Sequence, residues 1–263
     1  MDILVCAKRV PDTAENEIEI KADGADIERD DLVYSVNEAD NYAVEAALQI
    51  AACTGGKVTV VTVGGEEDEE ILRREMAMGA NGGVLLTDDA FRDSDGRGIA
   101  AVLKAFVEMG HYDLILTGVQ ADDGCAQVGG MLAAMLDYPF ASLVTSIEVV
   151  EGGKLKIARE VEGGNKEIHA IDLPCVLSIQ TGINEPRYVG MRGIRQVASI
   201  PIPRLGAPDL ACALAMTGKG NAKVQRSRYF TPPAGKAAEI LEGSRDEVIE
   251  KLIDLLKAKG GLN

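Results

Sequence analysis

Lys57-Val-Thr-Val-Val-Thr-Val63 is a run of valine and threonine behind one lysine, with Gly55-Gly56 before it and Gly64-Gly65 after it. β-branched residues suit a pleated surface and paired glycines punctuate elements, so the run reads as a strand apolar on both sides. Such a strand belongs in a parallel sheet with helices on both faces. Upstream, Ala39, Ala43, Ala46, Ala47 and Ile50 recur at helical spacing, which predicts a helix starting around Ser35-Val36-Asn37. The chain before it, Ile3 to Val10, reads as another buried strand. Downstream, acids crowd Glu66 to Glu70 as they do at the positive end of a helix, predicted to run to about Met78. Strands at Gly83 to Thr87 and Asp113 to Gly118 then alternate with helices at Gly96 to Met109 and Gln127 to Leu136. Strands separated by helices imply right-handed crossovers and an α/β fold with a doubly wound, mainly parallel sheet.

Near residue 145 the period changes. Glu151-Gly-Gly and Glu162-Gly-Gly divide three runs, and Leu155, Ile157, Arg159 and Val161 alternate along the middle one, predicting a small antiparallel meander. Pro174 to Gln180 reads as one more strand. Residues 182–235 have little periodicity and hold five of the nine prolines after Pro186, the mark of an extended arm. Asp246 to Lys259 closes with an amphipathic helix, acids first and lysines last. The expected organisation is an α/β domain over 1–182, a distinct loop over 183–196, and an extended C-terminal arm ending in a helix over 197–263. An arm of this kind implies a partner to lie against.

The 263 residues are 46% hydrophobic and 26% charged, enough apolar content to bury a sizeable core. A net charge of −15, no tryptophan and 4% aromatics argue against a nucleic-acid partner. No apolar run reaches the ~18 residues of a membrane span, and no membrane insertion is expected. MDILVCAKRVPD carries an acid at position 2 and reads as a first strand, not a leader. Five dispersed cysteines without a CxxC pair fit neither a disulfide framework nor a zinc cluster, and point to a reduced, cytoplasmic setting.

GxGxxG, GxxxxGK[ST] and GxSxG are all missing. His111 and His169 read as surface or packing residues, and Cys6, Cys53 and Cys175 as small core residues. No acid/base set, catalytic residue or metal site emerges. A nucleotide binder or carrier is favoured over a classical enzyme. On a doubly wound sheet ligands bind beyond the carboxyl ends of the strands, which selects Cys6 to Lys8, Asn37 to Asp40, Val63-Gly64 and Gly118 to Val128. Gly118 to Gly129 is rich in small residues, and free N–H groups at Ala126 to Val128 would open a helix toward an anion. Asn184-Glu-Pro-Arg-Tyr-Val-Gly-Met-Arg-Gly-Ile194 combines Tyr, Met and Arg, the types enriched at interfaces. Residues 12–40, with eleven acids and two basic residues, read as a solvated acidic loop.

Together, LVCAKRVPD, VNEADNYAVEAAL, AMGANGGVLL, GVQADDGCAQVGGMLAAMLDYP, INEPRYVGM and TPPAGKA resemble, in order, the β subunits of electron transfer flavoproteins over essentially the whole chain. The resemblance implies a heterodimer with an α subunit whose bound FAD carries electrons between flavin-dependent dehydrogenases and an acceptor. It also implies a nucleotide in the β fold: AMP in most members, a second FAD reduced by NADH in the bifurcating subgroup. The implied nucleotide-binding positions are Cys6, Asn37, Glu38, Ala39, Asp40, Val63 and the loop Gly118, Val119, Gln120, Ala121, Asp122, Asp123, Gly124, Cys125, Ala126, Gln127 and Val128. Asn184, Glu185, Pro186, Arg187 and Tyr188 fall in the family's partner-docking loop, with Met191 at an anchor position that usually holds Leu. The chain departs from the family pattern in a 118–129 loop one residue shorter, with Gly124-Cys125 where polar residues are commoner. Ala126-Gln127-Val128-Gly129 is closer to the bifurcating subgroup, and Arg192 stands where Pro is frequent. An adenine-nucleotide-sensing α/β module is the alternative from another class.

Overall fold

We describe the chain from a computed structural model, which places residues 1–233, 235 and 238–261. The strands and helices in the first half are β1 (Asp2–Cys6), β2 (Arg9–Pro11), β3 (Tyr34–Val36), α1 (Glu38–Thr54), β4 (Lys57–Val63), α2 (Glu69–Met78), β5 (Gly82–Leu86), α3 (Gly96–Val107) and β6 (Leu114–Gly118). Next come α4 (Val128–Leu136), β7 (Phe140–Val150), β8 (Lys154–Val161), β9 (Asn165–Asp172), β10 (Cys175–Ile179), α5 (Met191–Val197), β11 (Arg204–Leu205) and α6 (Arg245–Ala258).

The main sheet runs in the order β11-β5-β4-β1-β6-β10-β7-β8-β9. From β11 to β7 every pairing is parallel, and β7-β8-β9 is the antiparallel meander. Alternate strand residues feed two cores. Ile3, Val5, Val58, Val60, Leu114 and Leu116 pack with α1 and α2, while Leu4, Val61, Leu86 and Ile115 pack with α3 and α4. Both faces are therefore covered, as the unbroken apolar pattern of β4 demands of a central strand. Helix α1 ends at Gly55, whose φ of 72° gives the left-handed turn that releases the chain into β4.

Two expectations are corrected. The run Ile3 to Val10 is not one strand, because the chain breaks after Cys6 and Arg9–Pro11 pairs antiparallel with Tyr34–Val36. Asp40 captures the Lys8 N–H, which turns the backbone off the sheet. The antiparallel pairing of the meander starts at Val144, where the change of period near residue 145 predicts it. The first part of β7 pairs parallel with β10, and the strand passes to β8 through a register shift beside Leu143, at φ 57°. The stretch after residue 182 is less open than its prolines suggest. It forms α5, and β11 extends the β5 edge, with Leu85 N–H donating to Pro203 O at 2.9 Å and Thr87 N–H to Leu205 O at 2.9 Å. Leu210 is buried in the α3-side core. A two-residue strand is too short to carry a period.

The chain divides into two compact units, Met1–Glu19 with Glu28–Ser227, and Ile20–Ile27 with the chain from Arg228. In the smaller unit Tyr229 N–H donates to Gly24 O at 2.8 Å, and Ile20 bridges Ile27. Helix α6 starts with a capping box between Ser244 and Glu247, and none of its residues is buried. Ile249, Leu252, Leu255 and Leu256 leave its apolar face open. Within Thr231 to Ala237, residues Ala234, Lys236 and Ala237 lie outside the described residues.

Candidate functional site

The strand order reverses between β1 and β6, since β4 and β5 follow on one side and β10 on the other. That switch point is where an open parallel sheet leaves a crevice. Three of the predicted segments meet there, and Asp40 joins them. Its Oδ2 accepts the Lys8 N–H at 2.9 Å and its Oδ1 accepts the Gly118 N–H at 3.0 Å. Asn37 stands at the N-cap position of α1 without a side-chain cap, donating its N–H to Lys8 O at 2.9 Å and its Nδ2 to Gln120 O at 3.0 Å. Both side chains are buried. The first turn of α1 favours the Asp40 carboxylate electrostatically, yet burial dominates and pushes its pKa up to about 6.

Gly118 is required by this arrangement. A Cβ at that position would collide with Asp40 Oδ1 and stand 2.9 Å from the Ala39 backbone carbon. Val119 N–H donates to Ile179 O at 2.9 Å, which fixes the base of the loop to β10. Over the loop, Lys8 Nζ meets Asp123 Oδ1 at 2.5 Å and Arg226 Nη2 donates to Asp123 O at 3.1 Å. Ala126 adopts φ 53°, a left-handed turn costing an alanine roughly 1–2 kcal/mol, and swings the chain into α4. Gln127 makes no side-chain cap. The N–H groups of Cys125, Ala126, Gln127 and Val128 have no acceptor among the described residues. Small side chains, a helix N-terminus and free N–H groups suit an anionic group such as a phosphate.

The predicted positions thus divide. Asn37, Asp40 and Gly118 frame the crevice; Ala39 is packed beneath Gly118; Gln120 to Val128 form its rim; and Cys6 and Val63 end the neighbouring strands β1 and β4. Burial, then the Asp40 charge, push the Cys6 thiol well above its ordinary range, so it is no thiolate. Cys125 is exposed. Glu38 is exposed and lines a different cleft, with Arg74 and Pro186. Lys8 falls in the Cys6 to Lys8 segment selected for the crevice, whereas Arg226 was not among the predicted contacts, because a single cation in a distant arm leaves no local pattern. Cys53, expected in the core, is exposed on α1, whereas Cys175 is buried.

A larger cavity of about 680 Å³ lies between β3 and α2, lined by Arg9, Tyr34, Arg73, Arg74, Arg204 and several glutamates. Arg204 is paired with Glu66 and Glu69, and Arg73 with Glu69, so those charges cancel within the wall. The crevice at the switch point is the better anion site because its backbone donors have no partner among the described residues.

In the second segment, Asn184 Nδ2 donates to Tyr42 O at 3.1 Å and Arg187 forms a two-pronged pair with Glu45, at 2.7 and 2.9 Å. Glu185, Pro186 and Tyr188 lie between these ties and α5, which begins at Met191. Tyr188 is 93% exposed and Met191 65%. His111 and His169 are exposed and lie beside Asp113 and Glu167. Among the described residues no group of His, Cys, Asp and Glu is placed to hold a metal, and no helix is long and apolar enough to cross a membrane.

Comparison with known proteins matches residues 25–210 to the electron transfer flavoprotein domain. The electron transfer flavoprotein subunit beta of Methylophilus methylotrophus is 34% identical over 260 residues, covering 97% of this chain and 98% of its own. That of Bacillus subtilis is 34% identical over 261 residues, covering 98% of each. The caffeyl-CoA reductase-Etf complex subunit CarD of Acetobacterium woodii is 36% identical over 263 residues, covering 98% of this chain and 99% of its own. Full-length similarity at this level, on a parallel sheet with a small-residue loop at its switch point, shows that the chain belongs to the electron transfer flavoprotein family, among its β subunits.

Proposed function

We propose that the chain is the β half of an αβ electron carrier that moves electrons between flavin-dependent dehydrogenases and a downstream acceptor. The observation that carries this reading is the crevice itself. It has a backbone-lined anion cradle at Cys125 to Val128 and a frame in which Asp40 is spent on the chain's own N–H groups. Lys8 and Asp123 are likewise spent on each other, which suits a crevice that binds and orders without doing chemistry. AMP fits it: the phosphate would face Cys125 to Val128, and Asn37, Val63 and Gln120 would border the rest. FAD, held mainly by the α subunit, would supply the redox chemistry.

A second reading is supported by the relatives. One is named a caffeyl-CoA reductase-Etf complex subunit, and another, 32% identical, the acryloyl-CoA reductase electron transfer subunit gamma of Anaerotignum propionicum. In that reading the β crevice holds a second FAD that NADH reduces. Nucleotide released from the denatured complex decides between them. One FAD and one AMP per heterodimer are expected of the carrier; two FAD and no AMP would replace it with the NADH-dependent enzyme.

The open face of α6 supports an α subunit as its cover. Ile249, Leu252 and Leu256 recur at helical spacing on that face and are 39–47% exposed. Changing Leu252→Asp and Leu256→Asp together is expected to weaken heterodimer association at least tenfold, read by sedimentation. An unchanged association constant would remove α6 from the interface.

A further inference from the structure

The docking segment is anchored more firmly than an exposed loop needs to be. Glu45 lies midway along α1 and is 4% exposed, an unusual place for a carboxylate. All its partners concern the docking segment or its own helix. Arg187 Nε donates to Oε2 at 2.7 Å, Nη2 to Oε1 at 2.9 Å and the Arg187 N–H to Oε2 at 3.3 Å, while Gln49 Nε2 supports Oε1 at 3.0 Å. The pair holds the Glu45 carboxyl below its ordinary range against the opposing effect of burial, so it is charged at neutral pH.

The neighbouring ties act in the same direction. Asn184 is tied to Tyr42, one turn earlier on α1. Gly193 packs on Ala77 of α2, and Arg73 of α2 holds Val197 O at 2.8 Å and Ile200 O at 2.9 Å. Tyr188 and Met191 therefore project from a segment fixed on both sides. Their exposure is imposed by the frame. Arg187, Tyr188 and Val189 also form one wall of a cleft of about 320 Å³ against Glu38, Tyr42 and Arg74.

We propose that Glu45 is the positioning residue of the docking segment, holding Arg187 so that Tyr188 and Met191 are presented ready-made to a partner dehydrogenase. This rests on the docking role assigned to residues 184–191. A preorganised loop has little ordering entropy left to lose on binding, so loosening it weakens encounter-complex formation without touching the electron-transfer step. Arg187 cannot be replaced by lysine on this view, because an ammonium cannot reproduce the two-pronged contact.

The test is steady-state reduction of the purified αβ complex by varied concentrations of an acyl-CoA dehydrogenase that reduces the wild-type complex. Glu45→Gln, Arg187→Lys and the double variant Tyr188→Ala/Met191→Ala are compared. All three are expected to raise KM for the dehydrogenase about tenfold with kcat within twofold. Nucleotide content and heterodimer assembly should not change. Should Glu45→Gln fail to fold, Arg187→Lys decides alone, since it leaves Glu45 a charged partner. A raised KM in the Tyr188/Met191 variant with wild-type values in Arg187→Lys and Glu45→Gln would overturn the positioning role and leave docking intact. An unchanged KM in the Tyr188/Met191 variant would overturn docking itself.

Discussion

Replacing Glu75 by glutamine is expected to flatten the pH dependence of stability and to stabilise the chain by a few kcal/mol above pH 8. Glu75 lies on α2, is 0% exposed, and neither carboxylate oxygen has a hydrogen-bond partner among the described residues. Burial raises its pKa from 4.5 to about 8, the Asp40 charge adds to the rise, and Arg74 offsets a little of it. Asp40 has two N–H donors and ionises first; its charge then holds the proton on Glu75. In the unfolded chain Glu75 titrates near 4.5. The folded state therefore binds the extra proton between those values, and stability falls as pH rises from about 4.5 to about 8. At about 1.4 kcal/mol per pH unit the full span is about 5 kcal/mol, an upper bound because the pair relaxes together. Asp40, raised from 3.8 to about 6, adds a loss in the same direction at lower pH. Urea unfolding of wild type and Glu75→Gln at pH 5, 7 and 9 should give curves that diverge with pH. Parallel curves would mean that Glu75 is ionised in the fold. Glu75→Met, which also removes the orphaned oxygens, should be the more stable of the two variants at every pH.

The second large effect is expected at Gly118. An added methyl would press on Asp40 Oδ1 and the Ala39 backbone, where α1 packs against the end of β6. The backbone has no room to yield, because Val119 is bonded to Ile179 O on one side and Asp40 to Lys8 on the other. Gly118→Ala should displace Asp40 and break two charge-assisted hydrogen bonds, at roughly 1.5–3 kcal/mol each. We expect a loss of about 3–6 kcal/mol in stability by the same bond values and a nucleotide content near zero in the purified complex. Gly82→Ala is the control, for nothing lies within 4 Å of its added Cβ and its backbone is ordinary strand. A Gly118→Ala complex that keeps both its stability and its nucleotide would show that the frame around Asp40 is dispensable.

Most of the fold was legible because its signals are local. KVTVVTV, flanked by glycine pairs, could be little other than a central parallel strand, and it is one, with β1 and β5 on either side. The alanines of the preceding pattern fill the α1 contact with the sheet, and the two Glu-Gly-Gly turns separate β7, β8 and β9 as expected. The crevice was legible at the level of segments for the same reason: its walls must lie at the carboxyl ends of strands. What each residue does there was not. Asp40 and Asn37 read as ligand contacts in the sequence but spend their hydrogen bonds on Lys8, Gly118 and Gln120, residues up to 83 positions away. Glu38 sits one residue from Asn37 and faces another cleft, because successive positions on a helix point some 100° apart.

Sequence by itself determined the strand-helix alternation, the parallel core, the meander, the terminal amphipathic helix and the family, since each is written in periodicity or in contiguous motifs. Only the tertiary structure decided that the first apolar run ends at Cys6, that two residues near Arg204 extend the sheet, that Glu45 pairs with Arg187 and that Glu75 lies buried without a partner among the described residues. Those outcomes depend on pairs of groups distant in the chain, and on burial. Asp40, Glu45 and Glu75 are all buried, and the partner each one meets decides whether the carboxylate frames a loop, binds a cation or keeps its proton.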